Sequence, residues 1–269
     1  ERLRPLEDPT TRYGVREWAE FTQAWNMGQM QTAKAHLEAL LQRELSPSEG
    51  RFYRHLKGVV EGLVAWDRFQ HAAARKLLEE HLEAALGVAE AWNHGSKVRV
   101  LQELRQGLGR LEGLLQRRNA PSFELLADLL ANAERRAAAG RYDDALARLY
   151  RAVELAAEAD IHAPHGLVLP QPESYPPALA GFSIRAGTLR GLKETLSLAF
   201  DLDVHTRQTN TLAQQLYSDY NQQLQGLLQR RHNSILAHGT KPVSAEDYEA
   251  LRAYLAAKGL EAAPPWPRW

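Results

Sequence analysis

Two residues of the stretch RRHNSILAHG, at 230–239, combine a permanent cation with a proton carrier: Arg231 and His238. A guanidinium offers a rigid fork for two-point contact with phosphate or carboxylate oxygens, and an imidazole gives and takes a proton near neutrality. Six residues separate them. On a helix that spacing is close to two turns, so both project from one face about 10 Å apart along the axis. His232 and Asn233 follow directly and can orient a phosphate or the His238 ring, although neither shares that face. An internal ion pair and a hydrogen-bonded core histidine account for the same two positions, so spacing does not decide between structure and chemistry. Arg75 and His81, in RKLLEEH, have nearly the same separation. What sets the later pair apart is its setting.

Leu212, Leu216, Tyr220, Leu224 and Leu227 or Leu228 form an apolar stripe at helical spacing, and Arg231, Ile235 and His238 take the next seats. A charged group in a stripe that faces other helices needs a carboxylate, a phosphate or a solvated cleft, because burying it alone costs several kcal/mol. Gly239 then stops the helix and leaves His238 near the mouth of the packed region.

The rest of the chain reads as all-α. Apolar residues recur at three and four along nearly every segment, while strand-like alternation is almost absent. SPSE at 46–49 predicts a cap at Ser46, Pro47 at the first helical position and Glu49 closing a capping box. NAPSFE at 119–124 and SAED at 244–247 repeat that chemistry, and Gly28, Gly95 and Gly140 stand where helices are expected to end. GQMQTAKAHLEALL from Gly28 echoes GRYDDALARLYRAV from Gly140, as tetratricopeptide-like hairpins do, although any helical hairpin needs such a turn. The division predicted is 1–118, an N-terminal region of helical hairpins, and 119–269, a second helical bundle. Within the bundle, 161–181 carries five prolines and reads as a long connection. After it, helices are expected over about 184–201, 208–238 and 245–258. Trp18, Trp25, Trp66 and Trp92 fall on helices and read as core, whereas PPWPRW at the end either docks through its two Trp or hangs free.

Composition narrows the function classes. Lys plus Arg equals Asp plus Glu at 33 each, so no global field attracts nucleic acid, and any contact with it is local. The chain has no Cys, which excludes disulfides and thiolate metal sites and fits a reducing cytoplasm. His162 and His165 in IHAPH lack a ligand set around them, and no metal or other cofactor is expected. No run of apolar residues is long enough for a membrane span, and no secretory leader is read. Glu1 in place of an initiating Met leads us to expect further chain upstream.

RRHNSILAHG resembles the signature of HEPN ribonucleases: an Arg, a polar residue, then a His after four to six intervening positions, matched by Arg231, His232 and His238. The hairpin ANAERRAAAGRYDDALARLYRAVELAAEA at 131–159 is similar to the first two helices of HEPN domains, with an acidic residue at Glu154 as the possible partner of the motif Arg. Asp144 is the other candidate for that pairing. With HGTKPVSAEDYEAL after the motif, the chain most resembles the CRISPR-associated CARF-HEPN ribonucleases of type III systems, over roughly 122–258.

The resemblance implies a metal-independent endoribonuclease acting on single-stranded RNA in antiviral defence, with two motifs meeting across a homodimer. His238 moves protons, Arg231 stabilises the crowded phosphorane, and His232 and Asn233 support them. That family also carries a Rossmann-like CARF sensor for cyclic oligoadenylate. No strand-helix alternation or Gly-rich loop appears here, so the sensor lies upstream of residue 1 or is absent. Two other readings remain at this point: a helical-repeat adaptor whose HEPN-like end has no catalytic role, and a HEPN toxin restrained by a partner.

Overall fold

The computed structural model describes residues 14–117, 120–168, 176–186, 191–232 and 241–269, without the side chains of Ser183, Arg185, Arg231 and His232. Every regular element among them is helical, and the all-α expectation stands. The chain divides into two compact units, one of residues 1–116 with Pro265–Trp269 and the other Arg117–Pro264.

The first unit contains α1 (Val15–Asn26), α2 (Met30–Leu40), α3 (Pro47–Asp67), α4 (His71–Ala91) and α5 (Gly95–Gln116). Each packs on its neighbours in sequence. The Ser46 cap forms as predicted: its hydroxyl accepts from the Glu49 amide at 3.3 Å, and the Glu49 carboxylate accepts from the Ser46 amide at 2.9 Å. Gly95 departs from expectation, because it opens α5 rather than closing α4. The helix before it ends at Ala91, and Asn93 supplies the left-handed residue there at φ 56°.

A shared turn explains the internal echo. At Gly28, Phe69 and Gly140 the chain enters the left-handed region, and the next residue's amide bonds back five positions, to Ala24, Ala65 and Arg136. This is the Schellman arrangement, and it returns the chain antiparallel over a short connection. Gly58 and Gly62 then let α3 and α4 close up: a Cβ at Gly62 would lie 2.7 Å from Leu78 Cγ, and one at Gly58 would strike the His81 ring.

The core of this unit is built around Phe21, Trp25, Leu37, Phe52, Leu56 and Trp66. The terminal PPWPRW segment docks within it. Trp269 meets Trp18 and Trp25 edge-on and Phe21 at a tilt, with ring centres 5.3, 5.6 and 5.9 Å away, and the Trp25 indole donates to the Pro267 carbonyl at 2.7 Å. Trp266 is 8% exposed and meets Trp66 edge-on.

The second unit contains α6 (Phe123–Ala138), α7 (Tyr142–His165), α8 (Ala180–Ala186), α9 (Leu192–His205), α10 (Leu212–Asp219), α11 (Gln225–His232) and α12 (Ala245–Ala257). Helix α7 packs against α6, α9, α10, α11 and α12. Its buried face is rich in alanine, at Ala145, Ala152, Ala156, Ala157 and Ala159, which lets those helices approach closely.

Three sequence boundaries are corrected. Helix α7 runs through Ile161 and His162 to His165, with Pro164 in its last turn, so the proline-rich connection starts only after Gly166. A left-handed Gly166 at φ 66° ends it. The element expected at 184–201 is instead α8 and α9, with 187–190 outside the described residues. The long helix begins at Leu212, not 208, because Thr211 and Gln214 form a capping box there, and a π turn over Tyr220–Leu224 interrupts it.

Replacing Trp266 by Ala removes a buried ring of the first unit and should cost about 3 kcal/mol. Thermal unfolding reads this as a clear drop in Tm, whereas an unchanged Tm would show that the terminal segment contributes nothing to the fold.

Candidate nuclease site

Arg231 and His232 lie in the last turn of α11. Asn233 and His238 fall outside the described residues, as does Gly239. What the structure defines is the frame that holds both ends of the motif segment.

On the near side, Arg230 donates to Asp247 Oδ1 at 2.7 Å. On the far side, Asp247 Oδ2 accepts from the Ser244 amide at 3.1 Å, and the Ser244 hydroxyl accepts from the Asp247 amide at 3.2 Å. One carboxylate therefore caps α12 and clasps α11, bracketing the chain between Arg230 and Ser244. A second clasp joins α12 to the end of α10: Lys258 lies 2.6 Å from Asp219, whose carboxylate also accepts from the Tyr254 hydroxyl at 3.1 Å. These bonds hold Asp219 ionised, its carboxyl lying below the usual aspartate value chiefly through Lys258. Neither Arg230 nor Asp219 stands out in the sequence. The cap SAED is legible there, but its second role as an ion-pair partner depends on tertiary placement.

The opposite end of this helical run is fixed from two neighbours. The Ala213 amide, in the first turn of α10, donates to Asp160 Oδ2 of α7 at 2.8 Å. The hydroxyl of Thr211, the capping residue, donates to Asp203 Oδ2 of α9 at 2.5 Å. Both carboxyls are pushed above the ordinary aspartate value, first by burial. The hydrogen bonds pull them back in part, chiefly the Ala213 amide on Asp160 and the Thr211 hydroxyl on Asp203, and the His165 ring adds a smaller pull in the same direction. Asp203 is 1% exposed. The polar residues at 160 and 203 carry a usable signal: each breaks an apolar helical period.

Glu154 pairs with Arg151 at 3.3 Å, and Arg151 also binds Glu158 at 2.6 Å. Asp144 gathers Arg136, Arg141 and Arg148. Arg148 also donates to Asn132, which is fully buried between α6 and α7 and which sequence reasoning misses. His162 faces the Leu167 carbonyl at 3.1 Å. Among the described residues no group of three or more His, Asp or Glu is arranged to hold a metal. An open cleft of about 410 Å³ lies in this unit, with Glu134, Tyr142, Tyr248, Glu249 and Arg252 on its walls. Arg252 is already neutralised by Glu134 at 2.9 Å, so its walls do not attract an anionic strand.

Residues 114–258 match the family model of the Csm6 HEPN domain, and residues 13–108 match that of the Csm6 6H domain. The chain belongs to the Csm6 family of type III CRISPR-associated proteins. No curated protein matches it. Membership makes it a CRISPR-associated HEPN protein, of a domain family that is generally ribonucleolytic. The HEPN match runs from the end of α5 to just beyond α12 and so contains both clasps, the Asp160 and Asp203 anchors and the motif. No described helix is long and apolar enough to cross a membrane.

The raised Asp203 value has a consequence for stability. A carboxyl whose folded pKa exceeds its unfolded one stabilises the fold only while protonated: the contribution is whole below the ordinary aspartate range and is lost as pH rises through the folded value. Asp203→Asn keeps an acceptor for Thr211 and has no charge to desolvate. Its Tm should therefore exceed the parent's at pH 7 and converge with it near pH 4. A variant less stable at pH 7 than the parent would contradict this.

Proposed function

We propose that the chain is a metal-independent endoribonuclease that cuts single-stranded RNA by attack of the 2′-hydroxyl on the adjacent phosphate. The observation that carries this reading is the position of Arg231 in the final turn of a helix clasped to α12 through its neighbour Arg230, within a HEPN family match.

RNA supplies its own nucleophile, so the protein needs only to move protons and to stabilise added negative charge. His238 takes the 2′-hydroxyl proton and returns one to the leaving 5′-oxygen, a role its ordinary pKa suits. Arg231 holds the non-bridging oxygens as the phosphorane forms. His232 and Asn233 orient the phosphate or the imidazole. Glu154 is the carboxylate assigned to hold Arg231, since it sits on α7 and α11 packs against that helix.

In this reading the protein works as a homodimer in the cytoplasm, with two motifs facing one RNA groove, and serves type III CRISPR antiviral defence. Cyclic oligoadenylate is its activator if a CARF domain precedes residue 1. Family membership favours the defence role over the toxin and adaptor readings.

With a fluorogenic single-stranded RNA in excess EDTA, the parent chain should cleave, and Arg231→Ala and His238→Ala should each lower the rate by about 100-fold or more. Cleavage that requires a divalent ion, or that survives both substitutions, would overturn the mechanism.

A further inference from the structure

Several cations of the first unit are paired. Arg16 binds Glu20 at 2.8 Å, Arg75 binds Glu79 at 2.6 Å, Arg99 binds Glu103 at 2.9 Å, and Arg105 reaches Glu83 at 3.6 Å. Lys34 and Lys57 share Glu38 and Glu61. Arg51 and Arg54, like Arg68 and Lys76, are not among these pairs. The first two sit one turn apart on α3, both exposed, and among the described residues neither forms an ion pair. Beside them is His55, and the His81 ring of α4 approaches it, with the two Nδ1 atoms 3.4 Å apart. His81 reaches that place because Gly58 has no side chain to block it. The exposed Glu80 carboxylate lies 3.8 Å from His81 Nε2.

Two guanidiniums and two imidazoles thus gather beside one turn of α3, with His81 supplied by α4, in a chain whose net charge is zero. The cluster holds more cationic groups than the single Glu80 carboxylate can match, and its forked donors fit phosphate oxygens better than a point charge does. We propose that Arg51, Arg54, His55 and His81 form an accessory surface for the phosphodiester backbone of single-stranded RNA. The choice of RNA rests on the ribonuclease reading above. Binding here is sequence-independent, since nothing in the cluster reads a base edge.

The histidines add a proton to the linkage. His55 is held below its ordinary value by burial, then by His81, Arg54 and Arg51, with Glu80 acting in the opposite sense. A phosphate seated among these groups offsets the like-charge repulsion and raises the imidazole's affinity for a proton. Binding then takes up a proton, and affinity rises as pH falls.

The test is fluorescence anisotropy of the full chain with a single-stranded RNA whose riboses are all 2′-O-methylated, so that it binds without being cut. Arg51→Glu with Arg54→Glu should weaken binding at least about 10-fold, and Arg51→Ala with Arg54→Ala should shallow the salt dependence by roughly 0.7 for each phosphate no longer neutralised. The parent should bind more tightly at pH 6 than at pH 8, and His55→Gln with His81→Gln should flatten that difference. Parental affinity and salt slope in the charge-reversed variant would overturn the proposal. So would a loss confined to anionic phospholipid vesicles, which would make the partner a membrane surface. Cleavage of unmodified RNA by the parent is scored separately: patch-dependent binding without cleavage sinks the ribonuclease reading alone, and cleavage with patch-independent binding sinks this surface alone.

Discussion

The second unit depends on one constraint, that several helices must all lie against α7. Alanines at 145, 152, 156, 157 and 159 make this possible by keeping the seam thin. Leucine and valine at 146, 149, 153 and 155 supply the apolar area that drives it. Packing alone leaves a helix free to slide along such a smooth seam. The Ala213 amide on Asp160 and the Thr211 hydroxyl on Asp203 remove that freedom at one end of the α10–α11 run, and Arg230 on Asp247 removes it at the other. The cost is two carboxyls held in a site that raises their pKa, a pattern more often met where position matters than where stability alone is at stake.

Local signals in the sequence are dependable in this chain. Ser46 with Glu49 and Ser244 with Asp247 close capping boxes where their spacing requires, and Gly28 and Gly140 make the left-handed turns that produce the internal echo. Signals that depend on competition between neighbours are less so. Gly95 reads as a stop, yet Asn93 takes the left-handed position before it. Pro164 does not end α7, although it removes one amide donor from the last turn, and the helix closes at His165 with Gly166 in the left-handed region. The π turn at Tyr220–Leu224 is invisible, since the leucine spacing is compatible with an unbroken helix and only the packed register reveals the extra residue.

The site is legible in a different way. The motif residues, their order after the hairpin and the helix that carries Arg231 can all be read from sequence, and the family match spans that stretch. The clasp of Arg230 on Asp247 cannot, because 17 residues separate partners that meet only once α11 and α12 are packed. The docking of Trp266 and Trp269 among the rings of the first unit is equally hidden, because their partners stand 200 or more positions away. Chemistry-bearing residues announce themselves, while the groups that hold them in place are ordinary residues distinguished only by what they touch.

If the held segment brings one guanidinium and one imidazole to a phosphate without a metal, the RNA's own 2′-oxygen must become part of the product. End-group analysis of RNA cut in excess chelator measures this directly. Fragments ending in a 2′,3′-cyclic phosphate, with 5′-hydroxyl partners, are predicted; fragments ending in a 3′-hydroxyl, with 5′-phosphate partners, would mean that water or another nucleophile had attacked, and would contradict it.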